Sequence, residues 1–179
     1  MTAYRILFTG PSGTGKSAAV AAVSDVPPTT SPLDLSGESG GSQYSGRSIA
    51  VDQGVIKLGE RDIIRLLATP GDEQATVPWD ALSESAVGLV LILDNSRPNP
   101  FHDLHFFVTI FKQLIERTKI VIGITRTDQR PYPGIADYHR QLYRIGVRAP
   151  VFEIDARSRE DVSLLLQTLL YLLDPGIEA

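Results

Sequence analysis

The octapeptide Gly10-Pro11-Ser12-Gly13-Thr14-Gly15-Lys16-Ser17 satisfies the spacing G-x-x-x-x-G-K-[ST], and each residue type in it has a physical task. Gly10, Gly13 and Gly15 let the main chain wrap tightly and aim its N–H groups at one point. Lys16 brings a positive charge to the terminal phosphates of a polyphosphate, and Ser17 brings a hydroxyl for Mg2+. A helix starting here adds its positive dipole end. The competing reading is a glycine-rich strand–helix turn that binds nothing. The position of the octapeptide, between an apolar strand and a helical run, favours the polyphosphate cradle.

Three further segments carry chemistry. Thr125-Arg126-Thr127-Asp128 and Asp155-Ala156-Arg157 each follow an apolar run. A carboxylate at Asp128 can accept from N1–H and the exocyclic amine of guanine, a donor pair that adenine lacks, and a backbone N–H in the second segment can meet the guanine carbonyl. Ala68-Thr69-Pro70-Gly71-Asp72-Glu73 ends a third apolar run. A phosphate loop alone does not separate GTPases from ATPases and kinases, and either polar triplet alone reads equally well as a loop after a buried strand. The two together at neighbouring strand tips favour guanine.

Positioning these segments requires strands alternating with helices. The patterns predict strands at 3–9, 48–58, 62–68, 87–93, 119–125 and 151–154. Helices are predicted at 16–24, 76–86, 101–117, 135–145 and 159–173, the last opened by a capping box at Ser158–Asp161. Most of the strands are uniformly apolar, as in an α/β sheet covered on both faces. The tight connection at Leu58-Gly59-Glu60-Arg61 predicts one antiparallel strand in an otherwise parallel six-stranded sheet, of order 2-3-1-4-5-6. Ligands of such sheets sit beyond the carboxyl ends of the strands. From Val26 to Arg47 a Pro/Ser/Gly tract without apolar periodicity reads as one long exposed loop. One domain, 1–179, is expected.

Composition narrows the classes. A net charge of −4 argues against a nucleic-acid partner, whose footprint would be basic. The absence of cysteine excludes disulfides, thiolate metal sites and Cys nucleophiles. The opening MTAYRILF reads as a strand rather than a signal peptide. Thr2 and the tail DPGIEA offer no myristoylation or prenylation residue. No membrane anchor and a cytoplasmic location are therefore expected.

With these residues in view, the chain resembles the Ras-like small GTPases, P-loop NTPases, over nearly its whole length. GPSGTGKS matches the phosphate loop, and SIAVD (48–52) is similar to the Thr-Ile-Gly-Val-Asp that closes switch I in Rab-type members. ATPGDE lies where Asp-Thr-Ala-Gly-Gln-Glu begins switch II, TRTD corresponds to Asn-Lys-x-Asp, and DAR to Ser-Ala-Lys. LLATPGDEQ, WDALSESAVGLVLILDNSRP and IDARSREDV look like the bacterial branch that holds the MglA-like and conservon-type GTP-binding proteins, where the leading Asp of switch II is missing.

The resemblance implies a GTP/GDP-bound, Mg2+-dependent molecular switch in bacterial signalling or cell polarity. Its phosphates would be held by Gly10, Ser12, Gly13, Thr14, Gly15, Lys16, Ser17 and Ala18, with Gly71 at switch II. Its base would be held by Thr125, Arg126, Asp128, Ala156 and Arg157. Ser17 and Ser48 would take the metal, and Lys16, Ser48, Asp72 and Gln74 occupy the catalytic positions. Ala68 removes the acid that reaches Mg2+ through water, which should weaken or reposition the metal. Ser48 stands for the usual Thr, and Ser12 for a frequent Gly. Asp72 replaces the water-orienting Gln, leaving Gln74 as a substitute only if the loop is displaced by two residues.

Hydrolysis is therefore expected to be slow and to depend on a partner, a roadblock/longin-type activator or scaffold by resemblance. Arg47 is the candidate internal arginine finger; a solvated loop arginine is the plainer reading. Two alternatives stay open: a nucleotide-binding pseudo-GTPase scaffold, and a P-loop ATPase or kinase. His102, His105 and His139 show no metal-ligand spacing, and the first two read as part of an amphipathic helix. Asp94-Asn95-Ser96-Arg97 reads as a loop-shaping segment. Trp79, with Val77 and Leu82, reads equally as an exposed switch II patch or as core.

Overall fold

Alternate residues along the central strands feed two different cores. In β1 (Ala3–Thr9) Leu7 joins one apolar cluster, while Ile6 and Phe8 join the other. β5 (Gly88–Asp94) repeats the division, with Leu89, Leu91 and Leu93 on one side and Val90 and Ile92 on the other. Successive side chains of a strand point to opposite faces, so a strand buried on both sides needs apolar residues at every position. All seven residues of β5 are buried, as are all six of β6 (Ile120–Thr125).

The computed structural model describes residues 3–34, 48–59, 62–71 and 79–174. The remaining elements are α1 (Lys16–Val23), β2 (Thr29–Asp34), β3 (Ser48–Leu58), β4 (Asp62–Ala68), α2 (Trp79–Glu84), α3 (Pro100–Ile110), α4 (Lys112–Arg117), α5 (Ile135–Arg144), β7 (Val151–Glu153) and α6 (Arg159–Leu173). Helices α1 and α6 cover one face through Ala19, Val20, Val162, Leu165 and Leu169. The other helices cover the opposite face through Leu82, Leu104, Phe107, Leu114 and Tyr138. The fold is thus α/β, with a mixed, mostly parallel sheet and helices on both faces.

Among the described residues the sheet has seven strands in the order β2-β3-β4-β1-β5-β6-β7, one more than the sequence predicts. The added strand is β2, inside the tract 26–47 that reads as loop. Pro, Ser and Thr hide it from periodicity arguments, but an edge strand has one neighbour and tolerates a proline that a central strand would not. Thr29–Asp34 pairs antiparallel with β3, Thr30 opposite Asp52 and Ser31 opposite Val51. β3 is in turn antiparallel to β4, so it alone among the described strands runs against the rest, as the connection at 58–61 predicts. The rest of that tract, 35–47, lies outside the described residues, as does the start of the helix predicted from 76.

Two helical expectations need correction. The helix predicted over 101–117 breaks at Phe111 (φ −92°, ψ 16°) into α3 and α4. Its ring is 1% exposed and meets Trp79 edge-on at 5.2 Å. Trp79 also lies 6.3 Å from Phe107, so it packs against the core. At α6 half of the predicted capping box forms. Ser158 Oγ accepts from Asp161 N at 3.2 Å, but the Asp161 carboxylate accepts from Asp155 N at 2.7 Å and ties the helix to the preceding loop.

Because β1, β4, β5, β6 and β7 are parallel, their carboxyl ends share one edge of the sheet. Asn95, just past β5, fixes the connection after β6. Its side-chain amide donates to Arg130 O and Pro133 O, and its Oδ1 accepts from the fully buried Tyr138 hydroxyl at 2.7 Å. Burial raises the Tyr138 phenol well above its ordinary value, so it remains a donor. Asp94 Oδ1 accepts from Ser96 N at 2.8 Å, and Arg97 pairs with Asp103 at 2.6 Å; segment 94–97 shapes its loop, as its sequence suggests. Tyr138→Phe leaves Asn95 Oδ1 without its donor and should lower stability by about 1–3 kcal/mol. The expected readout is a lower urea midpoint with an unchanged slope; an unchanged midpoint would show that this hydroxyl is dispensable.

Candidate functional site

The turn after β1 is built for close approach. Gly10 has φ 140°, and a side chain there would collide with the Ile92 carbonyl of β5. Gly15 caps α1 in the left-handed region at φ 101°, and a β-carbon on it would lie 2.7 Å from that of Ala156. A substituted residue fits neither place. The first turn of α1 carries no acidic residue and no side-chain cap, so its leading N–H groups face outward unneutralised, as an anion site requires. Thr14 Oγ1 donates to Pro11 O at 3.0 Å and tightens the loop.

Lys16 lies in the bend of this loop at 7% exposure. Its ammonium donates to Gly10 O at 2.9 Å and Pro11 O at 2.7 Å. Among the described residues no carboxylate pairs with it. Burial, with the charge of Arg97 adding to it, pulls its pKa down to about 8. A desolvated cation held by neutral carbonyls is costly unless an anion joins it. Ser17 is exposed beside it.

The tip of β4 closes over the loop. Ser12 N donates to Gly71 O at 3.0 Å, and residue 71 approaches so closely that a side chain on it would strike the Ser12 backbone and Lys16 Nζ. Thr69 is buried, its N–H donating to Phe8 O at 2.9 Å and its hydroxyl to Thr9 Oγ1 at 3.1 Å. Ala68 is 5% exposed. A hollow of about 390 Å³ between the two segments is lined by Ser12, Lys16, Ser17, Asp52, Ala68 and Gly71, among others.

A second hollow of about 560 Å³ adjoins it, sharing Gly15 and Ala18, and reaches the tips of β6 and β7. Thr14, Thr125, Arg126, Asp128, Ala156 and Arg157 line it. Thr125 Oγ1 donates to Leu93 O at 3.1 Å and, more weakly, to Thr14 O at 3.4 Å, joining this wall to the glycine loop. Arg126 sits in the left-handed region at φ 57°, a conformation a non-glycine residue adopts at a cost. Its guanidinium pairs with Asp94 and donates to Gly13 O at 3.0 Å. Asp155 holds Arg157 by three hydrogen bonds of 2.8–2.9 Å, which push its carboxyl down to about 2. Asp128 is exposed at the mouth, within electrostatic range of Arg157.

The structure thus gathers Gly10, Ser12, Gly13, Thr14, Gly15, Lys16, Ser17, Ala18 and Gly71 around one end of a bipartite groove. Thr125, Arg126, Asp128, Ala156 and Arg157 surround the other. Ser48 begins β3 opposite Asp34. Asp72, Gln74 and Arg47 lie outside the described residues. Sequence reasoning assigned no role in the site to Asp52, which lines the first hollow, and did not pair Asp94 with Arg126 or Asp155 with Arg157. Spacing on the chain does not reveal such cross-strand and cross-loop contacts. Among the described residues no three His, Asp or Glu side chains cluster as a metal site, and no helix is long and apolar enough to cross a membrane.

A larger hollow of about 970 Å³ lies at the opposite edge of the sheet, among Lys119, Tyr143, Arg144 and Arg148. It lacks the convergent N–H groups and buried cation of the glycine loop. Compared with known proteins, the chain matches no family model and no curated sequence.

The Lys16 shift has a stability consequence. Its folded-state pKa of about 8 lies below the ordinary 10.5, so between these values the folded chain binds fewer protons than the unfolded one. Its contribution to stability therefore rises with pH across that window and is least favourable below about pH 8. In ligand-free protein, the wild type should gain stability relative to Lys16→Met as pH is raised from about 7 to 10.5. A pH-independent difference in denaturation midpoint would show that the ammonium is not desolvated in solution.

Proposed function

We propose that the chain is a Ras-like P-loop protein, a guanine-nucleotide switch that hydrolyses GTP slowly and with the help of a partner. The observation that carries this reading is the buried Lys16 ammonium, ringed by main-chain groups and lacking a carboxylate partner among the described residues. A polyphosphate supplies the missing negative charge, and the uncapped start of α1 supports the same ligand. The adjoining hollow, within the usual size range of small-molecule sites, suits a nucleoside. Asp128 at its mouth is the reader of the guanine N1–H and amine.

The donor set fits Mg2+. This ion accepts a hydroxyl and few carboxylates and relies on substrate phosphates for the rest. Ser17 would hold it, with the Ser48 hydroxyl as a second ligand, and the ion would neutralise charge developing on the phosphates. This chain's own residues do the remainder. Lys16 stabilises the terminal phosphates, and the glycine loop fixes their position. The Ser12 N–H is taken by Gly71 O, so a terminal phosphate that claims it must displace residue 71, and nucleotide state is thereby coupled to the segment that follows. Asp72 is poorly suited to orient water beside a phosphate, so turnover is slow alone. A roadblock/longin-type protein is the proposed activator, in a cytoplasmic signalling or polarity role.

A second reading, a pseudo-GTPase scaffold, draws on Ala68 and on the Ser12–Gly71 closure. Single-turnover assay separates the two: a scaffold stays GTP-loaded with its partner present, whereas a switch releases phosphate. For the base, calorimetry with Mg2+ should show GTP and GDP bound more tightly than ATP. Asp128→Ala should weaken guanine binding by about tenfold or more, the worth of one lost charged hydrogen bond, and leave ATP unaffected. Equal heats for the two bases, or none, would overturn the proposal; a preference for ATP would make the chain an ATPase or kinase.

A further inference from the structure

At the edge of the sheet away from the glycine loop, the turn that ends α5 helps to build a concave surface. Gly146 stands in the left-handed region at φ 73°. Its N–H donates to Tyr143 O at 3.1 Å, and Val147 N donates to Leu142 O at 3.0 Å. This pair of bonds reverses the chain and brings Val147 back toward the last turn of the helix. The starts of β6 and β7 meet the same edge. They are pinned there by bonds from Leu89 N to Lys119 O at 3.1 Å and from Ile122 N to Pro150 O at 3.0 Å.

Two hollows share this floor. The first, of about 970 Å³, has Ile120, Leu142, Val147, Ala149 and Leu172 in its lining. Ile120 is 2% exposed and Leu142 1%, so its apolar part lies at depth. Lys119, Arg140, Arg144 and Arg148 line it too, and none of its described lining residues is Asp or Glu. Arg140 pairs with Asp137. Among the described residues no carboxylate pairs with Lys119, Arg144 or Arg148. In a chain of net charge −4 this edge reverses the sign locally. Tyr143, 82% exposed, stands at the mouth. The second hollow, of about 690 Å³, shares Lys119, Ile120, Val147 and Arg148 with the first and reaches α3 at His105 and Val108. His105 Nε2 is buried and has no hydrogen-bond partner among the described residues. A buried polar atom of this kind calls for a partner that the chain itself does not provide.

We propose that the two hollows form one docking groove for an acidic segment of a partner protein, with apolar side chains spaced along it. Charge complementarity sets the sign of the occupant, since unpaired cations attract carboxylates and reject a basic segment. Depth sets its kind. A lipid surface is met by apolar side chains that project into it, whereas Ile120 and Leu142 lie at the bottom of a concavity that a narrow chain can enter. Tyrosine and arginine, both at the mouth, are the residue types that most often dominate binding energy at protein interfaces. The groove lies at the amino ends of β6 and β7 and the nucleotide hollows at the carboxyl ends, so this proposal is independent of the nucleotide reading.

The test is selection of random displayed peptides on the immobilised full-length chain, followed by fluorescence anisotropy with the most enriched peptide. Enriched sequences should carry Asp or Glu with apolar residues between them, and affinity should fall as salt is raised. Amide shifts in isotope-labelled protein should cluster at 105–109, 119–120 and 142–149. Arg144→Glu combined with Arg148→Glu should weaken binding about tenfold or more, because like charges then oppose. The same reversal at Lys57 and Arg65, on β3 and β4, should leave it unchanged. Serine in place of the peptide's apolar residues should weaken it as much as the arginine reversal does. Where charge reversal at the end of α5 impairs folding, Tyr143→Ala combined with Lys119→Ala tests the same groove and should also weaken binding about tenfold. Selection without acidic sequences, shifts elsewhere on the chain, or indifference to the groove variants would overturn the assignment. Tighter binding to phosphatidylglycerol vesicles than to the peptide, lost in the arginine variant, would also overturn it and make this face a membrane contact.

Discussion

An ammonium at 7% exposure with two carbonyl oxygens as its hydrogen-bond partners is an expensive arrangement, and much of the architecture exists to maintain it. The carbonyls come from a loop that can fold back because Gly10 lies flush against the backbone of β5. β5 is fixed in turn by burial of all its residues between two helical layers. Desolvation strengthens every electrostatic interaction the charge makes. The same removal from water that penalises the unpaired charge would strengthen its attraction to the proposed anion. Stability given up at Lys16 would be recovered on binding the proposed polyphosphate, a common relation between folding and function at polar sites.

The sequence made the architecture legible wherever side chains alternate between two cores. Ile6, Leu7 and Phe8 of β1, residues 88–93 of β5 and all of β6 are apolar or small, and the strands follow from that. It did not make β2 legible, because Thr29-Thr30-Ser31-Pro32 carries no apolar pattern. That strand depends on β3 for its partners, not on burial. The break at Phe111 was equally hidden, since Phe111 packs against Trp79 from another element. At Ser158–Asp161 the local pattern was right about the cap, while tertiary competition from Asp155 N took the second half of the box.

The candidate site divides the same way. The glycine loop is contiguous, so its spacing on the chain is its geometry. Residues 125–128 and 155–157 sit at strand tips, and the α/β pattern is enough to bring those tips together. Asp52 was visible as part of a short segment, but its place opposite Ala68 depends on the register of β3 against β4. A shift of register by one residue would point it to the other side of the sheet. Arg126 likewise gains its significance from a positive φ and from Asp94, neither of which has a signature along the chain.

Among the described strands β2 ends the sheet, and this has a consequence for assembly. A terminal strand offers a row of free backbone groups on which another chain can add by strand pairing. Pro32, in the middle of β2, has no N–H, so the strand is short of one donor. Thr29, Thr30 and Pro32 are also exposed and present no apolar surface of any size to an incoming strand. The same residues that conceal this segment from pattern recognition thus discourage edge-to-edge polymerisation of the folded protein.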